Sequence, residues 1–376
     1  LPVAAVLLLA GMVSVTVWAI RTPYPFAGEP VLVMAVPPAQ EMTTGSVSKA
    51  PDQAEAEQPV AVEAAEPIGD DEPIPDIGEE PDIKIVRPRA QDVVETDSAI
   101  IVAPRRSLPP APIAAVSEQG PYGILPKVGA NNKKPSAVYA RKASQQSMLG
   151  DAPKIAIVLG GMGLNSDLTR QAIAELPGEI TFAFAPYGDD LQAQVNKARA
   201  GGHEVMLQLP MEPFGYPAVN PGPKTILADA DVNSNLDALA WHMGRFAGYT
   251  GIVNYMGARL LSEPQPLKPI LSEIKRRGLI FLGDGSVARN MAGEVGGSLG
   301  LPVRTAGVII DANPEPQAIA AQLSQLEDLA RADGVAIASG TGLAVTIDAL
   351  GQWSKTLADR GIVLIPVSAA YKGRQS

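Results

Sequence analysis

The chain has 376 residues, 46% of them hydrophobic and 19% charged, and a formal net charge of −10. That length carries one or two domains with real cores, and the acidic balance argues against nucleic acid, whose phosphates need a basic face. There is no cysteine and only two histidines, His203 and His242, which excludes disulfides, thiolate metal sites, a cysteine nucleophile and a single-chain site of three histidines.

Residues 1–20 are an uncharged run rich in Leu, Val and Ala. About 20 apolar residues at about 1.5 Å each cross a hydrocarbon core of about 30 Å. Trp18 and Tyr24 fall where an aromatic belt would lie. Trp18-Ala19-Ile20-Arg21-Thr22-Pro23 makes a poor cleavage site. Residues 1–21 are therefore predicted to be an uncleaved transmembrane anchor, with a cleaved signal peptide as the alternative. Long domains translocate regardless of a single charge such as Arg21, so the rest of the chain is expected on the extracytoplasmic, periplasmic side of the membrane.

Residues 22–119 are assigned to a disordered linker. From about residue 37 it is rich in Pro, Ala and acids, as in EAEQP at 55–59 and GDDEP at 69–73, and such stretches bury too little surface to offset ordering entropy. Its root-mean-square reach is about 50 Å. From Gly120 aromatic and apolar residues return, and 120–376 is expected to be one domain.

After Ala152 short apolar runs alternate with helical patterns. Strands are predicted at 154–159, 180–185, 204–209, 251–255, 279–282, 308–310, 335–338 and 362–367, and helices at 166–176, 188–200, 232–247, 266–277, 315–332 and 344–360. Asp231 is the expected N-cap of the helix carrying the stripe Leu236, Leu239, Ala240 and Met243. Near-continuous apolar strands joined by helices imply a parallel sheet buried on both faces. Seven or eight such units in about 220 residues suit a parallel β/α barrel, complete or irregular (distorted), better than an open sheet. The Gly-rich stretch 283–308 gives the weakest pattern.

Parallel α/β folds bind ligands at the carboxyl ends of their strands. Those positions hold Gly160, Gly161, Pro186, Tyr187, Gln208, Glu212, Asn254, Tyr255, Arg259, Asp284, Asp311, Ser339, Thr341 and Ser368. Carboxylates, amides, an arginine and an aromatic ring are the groups that hold sugars, and Gln208, Glu212, Asn254, Tyr255, Arg259, Asp284 and Asp311 are the candidate ligand-binding residues. Strand ends are polar in any such fold, and that accounts for part of the ring. Gly160-Gly161 is far from a nucleotide fingerprint.

Residues 155–163, 201–213 (GGHEVMLQLPMEP), 251–259 (GIVNYMGAR) and 361–368 (GIVLIPVS) resemble the divergent polysaccharide deacetylases, relatives of the NodB-type enzymes, over about 120–370. The resemblance implies an irregular β/α barrel and, in catalytic relatives, removal of acetyl groups by a divalent metal that polarises the carbonyl and activates water, with a carboxylate as base. The departures fall on the metal. Where enzymatic relatives carry an Asp-Asp pair, this chain has Gly160-Gly161; Tyr255 and Gln208 stand where histidines are found; and Ser339-Gly340-Thr341-Gly342 replaces a Gly-His-Pro end. His203 opens its strand, on the face opposite the site, and His242 falls inside a helix, so both are expected to be structural.

No cofactor or metal is therefore expected, although the family implies a divalent metal. A carboxylate-only site from Glu212, Asp284 and Asp311 for Mg²⁺ or Ca²⁺ stays open. Three readings follow. One is a catalytically degenerate deacetylase that binds an acetylated envelope glycan such as peptidoglycan. Another is an active enzyme with Glu212, Asp284 or Asp311 as base, and the third is a structural or protein-binding envelope factor.

Overall fold

The computed structural model describes residues 106–143 and 150–371. The expected anchor and residues 22–105 of the expected linker lie outside the described residues. Among the described residues no helix is long and apolar enough to cross a membrane.

Residues 106–119, which composition assigns to the linker, are part of the folded unit. Leu108 N–H donates to the Arg199 carbonyl at 2.8 Å, and Ala111 and Val116 are buried. Strands β1 (Ser117–Gly120) and β2 (Gly123–Pro126) form an antiparallel hairpin. At Gly123, φ is +137° and a Cβ would strike the Gly244 carbonyl, so only glycine fits. A one-turn helix, α1 (Pro135–Val138), follows. Two buried guanidiniums hold this strap. Arg199 donates to Pro109 O at 2.8 Å and to Tyr139 O and Gly248 O at 3.1 Å each. Arg277 donates to Pro126 O at 2.8 Å and to Glu118 at 3.1 Å. Charge-assisted bonds of this kind are stronger than neutral ones.

The remaining strands are β3 (Lys154–Met162), β4 (Thr181–Phe184), β5 (Val205–Met211), β6 (Gly251–Met256), β7 (Ile280–Gly283), β8 (Val303–Thr305), β9 (Val308–Ile309), β10 (Val335–Thr341) and β11 (Val363–Leu364). The helices among them are α2 (Ser166–Glu175), α3 (Leu191–Ala200), α4 (Val232–Met243), α5 (Pro264–Arg276), α6 (Ala292–Leu299), α7 (Pro316–Asp333), α8 (Ala344–Ser354) and α9 (Val367–Ala370). Every pairing among β3–β11 is parallel, in the order β8-β7-β6-β5-β4-β3-β10-β9. β11 lies beside the start of β3. Two residues join the edge strands β8 and β9: Ala306 N–H donates to Gly283 O at 2.9 Å and Gly307 N–H to Ile337 O at 2.8 Å. The result is a parallel α/β half-barrel of eight strands, within the seven or eight units that the alternating pattern implies.

The alternation of side chains along each strand splits the core into two layers. Ile155, Ile157, Leu159, Phe182, Phe184, Leu207, Leu209 and Phe281 face the helices. Ala156, Val158, Ala183, Met206, Val253, Ile280, Leu282 and Ile337 face inward, where Ile365, Val367, Ala369 and Ala370 meet them. After β11 the chain therefore crosses the barrel at the amino ends of the strands, and α9 plugs it. Val367 N–H donates to Thr181 Oγ1 at 3.2 Å, and Ser368 N–H to Glu204 Oε1 at 3.0 Å. Ser368, expected in the strand-end ring, thus lies at the opposite pole.

Asp231 caps α4 as expected, its Oδ1 accepting from Asn233 and Ser234 N–H at 3.0 Å each. α4 stops at Met243 rather than 247, because Gly244 ends it and Phe246 and Tyr249 turn into the core. α8 likewise ends at Ser354 rather than 360. The weak stretch 283–308 contains α6 and β8, neither of them expected.

Candidate functional site

The carboxyl ends of β3, β5, β6, β7 and β10 converge at the pole opposite α9, and what they carry follows from strand parity. Gly160, Gln208, Tyr255, Asp284 and Ser339 continue the inward-facing rows of Val158, Met206, Val253, Leu282 and Ile337.

β3 is irregular here. Its register against β4 shifts between Leu159 and Met162, and Gly161 takes φ +73°, a bulge of the kind that bends a strand beside a site. Gln208 reaches across β4 to this bulge, and its Oε1 accepts from Gly161 N–H at 2.9 Å. A Cβ on Gly160 would stand 2.8 Å from Gln208 Nε2. Gly160, Gly161 and Gln208 therefore form one interlocked unit. The positions that the resemblance assigns to an Asp pair and a His are filled by an amide lying on glycine backbone.

Asn254 is fully buried at the end of β6 and both ends of its amide are in use. Its Oδ1 accepts from Asp284 N–H at 2.8 Å and its Nδ2 donates to Met256 O at 2.7 Å. Met256 itself is left-handed, with φ +56°, a conformation uncommon for any residue other than glycine. Asn254 thus joins the β6 turn to the end of β7 and stands next to Tyr255, a residue 39% exposed. Burial raises the Tyr255 phenol.

Asp284 Oδ1 accepts from Ser286 N–H at 2.9 Å and Ser286 Oγ at 2.7 Å, and its carbonyl accepts from Ser339 Oγ at 2.5 Å. Burial raises its carboxyl against the pull of those bonds. Asp311 follows β9, with Oδ2 accepting from Thr341 N–H at 2.7 Å and from Thr346 Oγ1 of α8 at 2.8 Å. Burial raises it as well. Asp284 faces the mouth, whereas Asp311 sits under the first turn of α8.

Glu212 and Arg259 are a strut. Arg259 Nη1 donates to Glu212 Oε1 at 2.6 Å, Nη2 to Asp229 at 2.5 Å, and Nε lies 3.5 Å from Glu263. The other Glu212 oxygen accepts from Ala228 N–H at 2.6 Å. Both groups, expected among the ligand-binding residues, are thus engaged in an ion pair with each other, and Arg259 also with the neighbouring carboxylates of Asp229 and Glu263. Asp229 and Glu263 carry no motif and were not legible in advance.

The rim of the mouth is apolar. Leu164, after β3, is 59% exposed and Phe214, after β5, is 40% exposed; they join Tyr255 and the half-buried Tyr187, whose hydroxyl donates to Pro223 O at 2.7 Å. Their position just past a strand was the available signal for Leu164 and Phe214. An open groove of about 570 Å³ between α4 and α5, lined by Val232, Leu236, Lys268, Pro269 and Arg276, lies on the outer helices and is separate from this mouth.

Both histidines lie elsewhere. His203 is buried, stacked on Phe182 at 3.9 Å, with Nδ1 2.9 Å from Ile180 O. His242 is buried on α4, with Nε2 2.7 Å from Lys224 O. The metal implied by the family does not fit this donor set. Among the described residues no group of three or more His, Cys, Asp or Glu could hold a metal ion, and the glycine pair and Gln208 stand at the positions that the resemblance assigns to ligands.

The sequence model of the divergent polysaccharide deacetylases matches residues 157–371. The chain belongs to that family. A crystal structure of an uncharacterized Agrobacterium tumefaciens protein is 40% identical, covering 66% of this chain and 99% of that one, with a TM-score of 0.64. The uncharacterized protein YibQ of Escherichia coli is 27% identical over 202 residues, 54% of this chain and 62% of its own length. An uncharacterized Haemophilus influenzae protein is 26% identical over 190 residues, 50% of this chain and 66% of its own. The matches thus span less than two thirds of these last two relatives.

Proposed function

We propose that this member of the family binds an acetylated cell-envelope glycan, such as peptidoglycan, at the strand-end mouth without metal-dependent deacetylation. The observation that carries the proposal is the Gly160–Gly161–Gln208 unit, an uncharged amide on glycine backbone at the positions that the resemblance assigns to metal ligands. The exposed ring of Tyr255 and the apolar rim offer faces for sugar rings. The apolar run at residues 1–20 supports anchoring in a membrane with the domain on the periplasmic side.

The test combines zinc affinity and acetate release, measured on the purified full chain, with its retention on peptidoglycan sacculi. Retention with neither tight zinc nor acetate supports the proposal; stoichiometric zinc with acetate release refutes it. The burial-raised carboxyls of Asp284 and Asp311 favour a second reading, a metal-free carboxylate enzyme. Its mark is acetate release abolished in Asp284→Asn or Asp311→Asn.

A further inference from the structure

We infer that Gln208 reads the intact acetamido group of the bound glycan, its side-chain N–H donating to the acetyl carbonyl and so selecting acetylated over de-N-acetylated sugar. The inference rests on the glycan-binding reading and assigns the specificity of the same site.

A primary amide has one acceptor and two donor hydrogens, and which end is which follows from its partners. Gly161 N–H, a donor, lies 2.9 Å from one end of the Gln208 amide, so that end is the oxygen. The other end is the NH2, which has no hydrogen-bond partner among the described residues, and Gln208 is half-buried rather than enclosed. The amide cannot turn over without setting its NH2 against the Gly161 N–H. A side chain at residue 160 would displace it, since a Cβ there would lie 2.8 Å from Nε2. The mouth therefore holds a fixed group whose oxygen is turned to Gly161 and whose donors are open.

Such a group discriminates by hydrogen-bond polarity. An acetyl carbonyl only accepts, and it completes the donor. The ammonium left by deacetylation only donates, so it meets Nε2 donor to donor and leaves both groups unpaired, the costly arrangement in a partly desolvated site. The chain's net charge of −10 pulls the other way, towards the cationic sugar. A preference for the neutral acetylated form would thus run against the overall electrostatics and report the local contact. Tyr255 stands beside this donor: on the neighbouring strand it pairs with Pro210, two residues beyond Gln208.

The experiment is calorimetric titration of the full chain with the N-acetylglucosamine tetramer and with its fully de-N-acetylated counterpart, followed by proton NMR for released acetate. Wild type should prefer the acetylated tetramer by about tenfold or more, the loss expected for one mismatched hydrogen bond, and should return it intact. Gln208→Glu keeps an oxygen on Gly161 N–H but presents an acceptor to the sugar, and should reverse the preference. Gly160→Ala, which displaces the amide, should abolish it; wild-type melting temperatures exclude misfolding in either variant. Equal binding of both tetramers by wild type, or an acetyl preference retained in Gln208→Glu, overturns the inference and leaves glycan binding standing. Binding of neither tetramer by wild type overturns the glycan reading and this inference with it.

Discussion

Acidification should weaken this fold through His242. The imidazole is buried against Tyr187 and Trp241, and burial, joined by the charges of Lys224 and Arg245, lowers it to about 4 against the favourable bond to the Lys224 carbonyl. Between about 6.5 and about 4 the unfolded chain binds a proton that the folded chain refuses. Stability is therefore present at neutral pH and is lost as pH falls through that window. At pH 5 the gap from the ordinary value is about 1.5 units, or about 2 kcal/mol at about 1.36 kcal/mol per unit. Urea unfolding of the full chain at pH 7, 6 and 5 measures this directly. His242→Gln retains a donor towards the Lys224 carbonyl and does not titrate, so wild type should lose about 2 kcal/mol relative to it between pH 7 and pH 5. Parallel pH profiles, within about 0.5 kcal/mol of each other, would refute the assignment of a buried neutral imidazole.

Asn254→Ala removes two buried hydrogen bonds and strands the Asp284 N–H, for a loss of about 3 kcal/mol. Calorimetry should show a melting temperature lower by roughly 6–12 °C, and a loss below about 1 kcal/mol would show that the turn holds itself. Asp284 and Asp311 are raised in the folded state, so the folded chain holds protons longer than the unfolded one, and stability falls as pH rises from the ordinary value of 3.8 through the raised ones. Asp284→Asn or Asp311→Asn should flatten that part of a pH–stability profile, and an unchanged slope would contradict the burial. Arg199→Met removes the donor to two strap carbonyls, Pro109 and Tyr139, so limited proteolysis should cut within 106–143 faster in the variant, with the barrel fragment persisting.

The strands that build the half-barrel were legible because each is apolar on both faces, and most of the helices because their stripes are regular. What escaped notice had weak local signals. α6 contains Gly293, Gly296 and Gly297, which blur any helical period, and β8 has three residues. Residues 106–119 read as linker because β1 is short and polar and the attachment depends on Arg199 and Arg277, far along the chain. β11 has two residues, so nothing in the sequence announces that the chain then leaves the sheet and carries Ser368 to the far pole. Within the site, residue types were readable but commitments were not. Glu212 and Arg259 look like ligand groups until the fold brings them together across 47 positions, and Gln208 looks like one polar residue among several until Gly161 fixes its amide.

The strap also sets how this domain responds to force. Its first described residue, Arg106, lies beside Gly202, just before β5 begins, where Arg141 donates to its carbonyl at 3.5 Å. The first described residue and the strand-end mouth are thus at opposite poles of the folded unit. Tension on the chain at Arg106 is taken up first by the bond between Leu108 and Arg199 and by the Arg199 contacts with Pro109 and Tyr139, which connect to α3 on the outer layer. The load path therefore bypasses β3, β5 and β6. Under such tension the strap should yield before the strand ends that carry Gln208 and Tyr255.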